Sequence, residues 1–388
     1  MKKFVVLLLF LICSALLQAQ IPAANHVVIV LEENQSYSAV IGSSSMPYLN
    51  SLAAQNGLAT EYFANAHPSI GNYFMLTAGQ LVTNNDSLNS TVNVDNIVRH
   101  LLTAGKTWKS YAESLPSVGY TGGDRYPYVR HHNPLSFFSD VVNSSVQKLN
   151  LVPFTHFAAD LANSQLPNYS FVVPNLNHDA HDCPTAPTGC TNAQKLATAD
   201  TWLKTNIAPL LTNPEFEQSG ILIIVFDEGF NTDTAHGGGH VAAVVVGPKV
   251  KKGFKSTAFY QHQNVLRTML DALGVRSYPG SAASAADMAD LFGAAAPSGC
   301  AATHTGVTVC APSAGSTDAS PVHFVAAAAS SHPITAMRIY IDNLSKFTAN
   351  ASSLNTSLAV SAGTHSVVVQ AWDSSGAVFK SPLTIHVP

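Results

Sequence analysis

The sequence predicts a doubly wound, mostly parallel α/β domain followed by a small all-β sandwich of the immunoglobulin type. Three observations carry that expectation: apolar runs suited to buried strands, helical stripes between them, and a change of composition after about residue 293. The first run, Asn25–Leu31 (NHVVIVL), meets Glu32-Glu33-Asn34 at its carboxyl end. Tyr169–Val173 (YSFVV) leads into Pro174-Asn175 and the polar cluster His178–Asp182. Ile221–Phe226 (ILIIVF) ends directly in Asp227-Glu228, and Val241–Val246 follows the glycine-rich His236–His240. Unbroken apolar runs of this length suit strands covered on both faces.

Helical patterns lie between the runs. Ala193–Leu211 aligns Leu196, Leu203, Ile207 and Leu210, while Asn264–Leu273 aligns Val265, Leu266, Met269 and Leu273. Gly274 then stands where a left-handed cap is expected. Strands alternating with helices point to an α/β sheet, in which ligands bind beyond the carboxyl ends of the strands. Three of the four runs bring acids or amides to that edge.

Beyond residue 293, Ala294–Ser298 and Ala311–Ser320 are rich in Ala, Ser, Pro and Gly. Met337–Asp342 then alternates, with Met337, Ile339 and Ile341 on one face and Arg338, Tyr340 and Asp342 on the other. Ser366–Trp372 is a second strand, and Asp373-Ser374-Ser375-Gly376 a turn. Short strands separated by turns suggest the sandwich. It holds no cluster of catalytic residue types, so a structural or adhesive role, with contact to a surface or carbohydrate, is its expected contribution. The expected division is a signal peptide over 1–20, a catalytic domain over 21–293, and a linker plus sandwich over 294–388.

The signal peptide is read from Lys2 and Lys3, the apolar run Phe4–Leu17, and the small polar end Gln18-Ala19-Gln20. That run is shorter than the ~20 residues a membrane-spanning helix needs. A secreted or periplasmic protein is expected, with no transmembrane segment after cleavage. In an oxidising compartment, short loop closure favours the disulfides Cys183–Cys190 and Cys300–Cys310. A zinc site from the same thiols is the alternative, but the pairs lack CxxC spacing. Charged residues make up only 11% of the chain and the formal net charge is −4, so no basic stripe points to nucleic acid.

The strand-end groups are the candidates for chemistry. Glu32-Glu33 reads as a solvated turn or as part of a metal site, while Asp227-Glu228 stands directly at the ligand edge of the sheet; such groups suit a divalent cation, with zinc, manganese, magnesium and calcium all open. Asn177–Asp182 packs His178, Asp179, His181 and Asp182 together, as a polar loop trimmed by the Cys183 disulfide or as a metal or phosphate contact. On one helical turn His178 and Asp182 would share a side. His236 and His240 flank three glycines, which permit close backbone approach to a ligand. Ser69, after Pro68 and before a helical stretch, is either an ordinary N-cap or a nucleophile at the positive end of a helix. No GxSxG elbow surrounds any serine, which weakens a Ser-His-Asp triad.

Six segments in order resemble the bacterial phosphoesterase family of acid phosphatases and phospholipases C, within the alkaline phosphatase superfamily. They are His26–Gly42, His67–Gly79, Val172–Cys183, Ile223–Gly229, Ala235–Pro248 and Tyr260–Gly274. The resemblance implies an alkaline-phosphatase-like fold and a metal-dependent hydrolase of phosphate esters working through a phosphoseryl intermediate. It implies that Glu33 and Asn34 open the metal site, that Ser69 is the nucleophile, and that Asn72 steadies the phosphate oxygens. Asp227 matches an aspartate ligand and His236 a final histidine ligand. Glu228 departs from the two-metal pattern, where a histidine stands, and Asn34 from an aspartate. Asp179 and His181 would supply a ligand or the general acid, with His178, Asp182, His240 and His262 as further candidates. The substrate would be a small phosphate ester or a phospholipid head group. Tyr111–Asp140, with Arg125, Arg130, His131 and His132, is the expected cap, its arginines either clamping a second phosphate or pairing with surface acids. The alternatives are a sulfatase, for which no C/S-x-P-x-R stretch is present, and a non-catalytic secreted adhesin using the sandwich.

Overall fold

A computed structural model describes residues 21–388 except 186–187, 294–299, 301, 303, 319 and 350. The expected signal peptide and the Ala294–Ser298 stretch lie outside the described residues. Eight strands form one sheet: β1 (Val27–Glu32), β2 (Gly57–Phe63), β3 (Trp108–Ala112), β4 (Leu151–Pro153), β5 (Tyr169–Val173), β6 (Ile221–Phe226), β7 (Ala243–Val246) and β8 (Phe254–Gln261). Their order is β4-β3-β5-β1-β6-β7-β2-β8. The three apolar runs β1, β5 and β6 lie side by side in the middle, paired in parallel, and every residue of each is buried. Burying a side chain such as Val or Ile is worth about 1.5–3 kcal/mol, so these runs dominate the core.

β7 is the exception to the parallel order, running antiparallel to both β6 and β2. That reversal matters for position. The connection from Asp227 to Ala242 leaves and re-enters the sheet at one edge, so the histidine-glycine loop stays at the carboxyl end of β1 and β6. β2, β3, β4 and β8 were not anticipated from the sequence. β3 and β4 are short, and β8 mixes exposed and buried positions, so none carries a continuous apolar run.

The helical stripes hold with adjusted ends. The first is Asn192–Asn206, opened by a Thr191/Gln194 capping box, and Pro209 begins a separate turn at Ala208–Leu211. The second is His262–Ala272, and Gly274 has φ +73°, as a left-handed cap requires. Both expected disulfides are formed, Cys183–Cys190 and Cys300–Cys310.

The C-terminal strands are β9 (Gly306–Ala311), β10 (Val322–Ala329), β11 (Ile334–Ile341), β12 (Leu344–Ala349), β13 (Ser353–Leu358), β14 (Gly363–Asp373) and β15 (Val378–Val387). They form two antiparallel sheets, β13-β10-β9 and β12-β11-β14-β15. Met337, Ile339 and Ile341 face inward as the alternation required. Asp342 and Asn343, both with positive φ, make the tight turn between β11 and β12. The buried apolar residues fall into two separate clusters, one from Ile21 to Phe292 and one from Val307 to Val387.

Candidate active site

Backbone hydrogen bonds between neighbouring strand ends bring three acids together. Glu33 N donates to Asp179 O at 2.7 Å, and Asp227 N donates to Glu32 O at 2.9 Å. Asn34, at φ +54°, turns the chain so that its own N–H donates to Asp227 Oδ1 at 3.0 Å, while its amide donates to Glu33 Oε2. The acids of β1, β5 and β6 thus meet because the strands are adjacent and in register.

Ser69 is the first residue of the helix Ser69–Ala78, after Pro68. Its side chain does not cap that helix. Ser69 Oγ donates to Glu33 Oε2 at 3.1 Å, and the N-terminal amide of Ile70 is satisfied instead by Asp86 Oδ1. Tyr73, one helical turn on, donates to Glu33 Oε1 at 2.5 Å. Asn72 holds the chain before the helix: its Oδ1 accepts from Asn65 N and Ala66 N, and its Nδ2 donates to Ala66 O and Glu228 Oε2. Glu228 Oε1 lies 3.2 Å from His67 Nδ1.

A histidine from the expected cap completes the group. His132 is buried, stacked on Tyr73 with ring centres 5.1 Å apart, its Nε2 3.3 Å from Glu33 Oε1 and its Nδ1 3.5 Å from Asp179 Oδ2. Sequence reasoning placed His132 only in the cap, because no local spacing ties it to β1. Tyr73 carried a signal: Ser69, Asn72 and Tyr73 are spaced to share one helical face.

The remaining candidates are placed around the cluster. Asp179 Oδ1 accepts from His181 N, and His181 Nδ1 lies 2.8 Å from Asp182 Oδ1. His178 turns away to Glu113, 2.9 Å from its Oε2, because residues 178–182 form turns rather than the helical turn that would align His178 with Asp182. His262 is buried beneath the site, its Nε2 2.7 Å from Asp227 O and its Nδ1 2.8 Å from Tyr62 OH. His240 Nε2 contacts Thr60 O, and the exposed His236 lies against Phe63 and Phe259. Neither histidine is brought among the acids. Arg130 is engaged structurally, with Asn89 O, Ser136 and the face of Phe137, and so is no phosphate clamp.

Electrostatically the site has too many acids. Burial, then Asp227 and Asp179, raise the Glu33 carboxyl well above its usual range. Burial likewise pushes Asp227 up to about 6 and Asp179 up to about 7, and burial together with Asp227 raises Glu228. Burial, then His181, holds His132 well below the usual imidazole range, so it brings no compensating charge. Asp227 Oδ2, Asp179 Oδ2 and His132 Nδ1 are buried with no hydrogen-bond partner. Among the described residues no three His, Cys, Asp or Glu side chains form a ready-made metal site. The donor set is nevertheless the kind a hard divalent cation takes: several buried carboxylates, an amide and unpartnered oxygens.

Comparison with known proteins gives the family. The profile of the Phosphoesterase family matches residues 43–276. The chain belongs to the phosphoesterase family. This phosphoesterase is therefore a hydrolase acting on phosphoric ester bonds. It is 33% identical over 276 residues to a phosphatidylinositol-3-phosphatase of Mycobacterium tuberculosis, covering 70% of this chain and 84% of that one. It is 34% identical over 240 residues to a phosphate-repressible acid phosphatase of Penicillium chrysogenum, 59% of this chain and 55% of the relative. A probable acid phosphatase of Kluyveromyces lactis is 32% identical over 64% of this chain and 58% of its own. The chain thus spans little more than half the length of these two fungal relatives. A solved alkaline phosphatase superfamily protein of Vibrio parahaemolyticus aligns with 93% of this chain and 82% of its own at 12% identity and a TM-score of 0.47.

Proposed function

We propose that this phosphoesterase is an exported, cation-dependent phosphatase that forms a phosphoseryl intermediate on Ser69. One observation carries the reading. The Ser69 hydroxyl, on the first residue of its helix, is turned onto the acid cluster and donates to Glu33 Oε2.

Glu33, Asn34, Asp227 and Glu228 would hold the cation, which when bound supplies positive charge against the phosphate oxygens. The remaining steps belong to the chain. Ser69 sits at the positive end of its helix, where negative charge is favoured. Glu33 accepts the Ser69 proton as Oγ bonds to phosphorus and the bond from phosphorus to the alcohol oxygen breaks. Asp179, flanked by His132 and His181, is placed to return a proton to the departing oxygen. Water, giving a proton to Asp179, then attacks phosphorus, and the bond to Ser69 Oγ breaks as Oγ takes its proton back from Glu33, releasing inorganic phosphate. Asn72 fixes the 65–66 turn and Glu228, and its amide would steady the phosphate oxygens.

The relatives named as a phosphatidylinositol-3-phosphatase and as acid phosphatases support a phosphomonoester substrate, free or on a lipid. The two disulfides support export, and among the described residues no helix is long and apolar enough to cross a membrane. Acid-quenching the enzyme during turnover tests the intermediate. Intact-mass and peptide analysis is expected to find one phosphoryl group on Ser69, and a label on a histidine or no label would reject the serine. Dialysis against EDTA is expected to remove activity, and added divalent cation to restore it.

A further inference from the structure

His236 and His240 stand outside the acid cluster, and both belong to a continuous run of rings. Tyr37 stacks on His240 at 4.3 Å and 5°, and His240 on Phe63 at 4.8 Å and 26°. Phe63 then touches both His236, at 4.4 Å, and Phe259, at 5.5 Å, and those two lie 4.8 Å apart. The run ends in water. Phe259 is 51% exposed and His236 is exposed. A single exposed phenylalanine needs no explanation, but here the bare ring is the open end of a four-ring stack, Tyr37–His240–Phe63–Phe259, with His236 edge-on to its last two members.

That open end is fastened to the catalytic serine's own segment. Gly238 N donates to Ala64 O and Ala64 N to Gly239 O. Gly237, at φ +111°, lies so close to Asn65 O that a Cβ there would stand 2.1 Å from it. His67 ties the same loop to the acids, with Nε2 2.9 Å from Asp233 O and Nδ1 3.2 Å from Glu228 Oε1. Ser69 is buried, whereas the His67 side chain is 19% exposed. The ring shelf is thus joined, through Asn65 and His67, to the chain segment that carries Ser69.

We infer that the Phe259–His236 end of the stack is the subsite for the alcohol portion of the ester, and that it takes a flat aromatic ring. This rests on the phosphatase reading and deepens it. Four rings already stack in the run, so one more ring on Phe259 extends an existing arrangement, while a small polyol gains little from it. The same ring chemistry could come from an aryl phosphate or a nucleoside 5′-phosphate. Offset stacking on one exposed ring changes affinity by about tenfold.

The test compares phenyl phosphate, adenosine 5′-phosphate and glycerol phosphate on wild type, Phe259→Ala and Phe259→Tyr. Wild type is expected to favour the ring-bearing ester over glycerol phosphate by about tenfold in kcat/KM. Phe259→Ala is expected to erase that preference through KM, and Phe259→Tyr to keep it. A preference for only one of the two ring esters assigns the source. In parallel, calorimetric titration with phenylphosphonate and methylphosphonate reads binding without turnover. Wild-type hydrolysis with equal constants for all three esters, or a preference that survives in Phe259→Ala, overturns the subsite and leaves the phosphatase reading intact. Absence of hydrolysis together with tighter phenylphosphonate binding, lost in Phe259→Ala, overturns the phosphatase reading and keeps the ring site. Absence of both overturns both.

Discussion

Glu33 receives a donor on each carboxyl oxygen, Tyr73 OH on Oε1 and Ser69 Oγ with the Asn34 amide on Oε2. This carboxyl therefore orients the serine and is itself oriented by Tyr73. Replacing Tyr73 with Phe removes one donor from a buried acid without emptying its ring site. Turnover is expected to fall about tenfold or more with KM little changed, which steady-state kinetics will show. At this scale the strand-end acids were legible, because an ionisable residue after an apolar run has nowhere to lie but the sheet's edge. Ser69 was only half legible, since its local sequence also fits a helix cap. The structure gives the cap to Asp86, and the nucleophile role of Ser69 stays a proposal. His132 was not legible as a neighbour of Glu33, because that contact spans about a hundred residues and leaves no periodic trace.

The element that sets the site is the helix Ser69–Ala78, all ten residues of which are buried. Its end is fixed by Gly79, at φ +66°, where a Cβ would stand 2.3 Å from Pro279 O. Gly79→Ala combines a strained backbone with a clash against backbone. It is expected to cost upwards of about 2 kcal/mol of stability, measurable by urea unfolding. The capping box at Thr191 offers a milder comparison: Thr191→Ala is expected to cost about 1 kcal/mol and leave kcat unchanged. Among the strands, β1, β5 and β6 could be read from the sequence because they are covered on both faces. β7 was found as a strand, but its direction could not be read, since an apolar run looks the same either way. That direction is what returns the His236–His240 loop to the catalytic edge. β8 escaped because its edge position leaves it half polar.

At the scale of the whole molecule, two apolar clusters that share no residue argue that hydrolysis belongs to the first domain alone. A chain ending at residue 293 is expected to keep the full chain's kcat on a soluble ester, and a large loss would show that the sandwich takes part in catalysis. The sandwich has its own acid sensitivity. Hydrogen bonds from Ser330 and Ser375 hold the Asp373 carboxyl down to about 2. A carboxyl lowered on folding stabilises the fold above its unfolded value of about 4, and that contribution is lost as pH falls through about 2. Calorimetry of the full chain is expected to show the sandwich transition falling between pH 4 and 2, and a flatter dependence in Asp373→Asn. The switch from an α/β sheet to antiparallel β sheets was legible from the change in composition. Which residues of the first domain converge was legible only where a strand carried them.

The account stands on Ser69 as the nucleophile of a phosphate-ester hydrolase. Its most direct test is the initial rate of phosphate release from an aryl phosphate by wild type and Ser69→Ala, both in saturating divalent cation. Circular dichroism and melting temperature serve to confirm that both are folded. The account predicts a folded Ser69→Ala protein with turnover reduced at least about a thousandfold. A folded variant with turnover near that of wild type would contradict it.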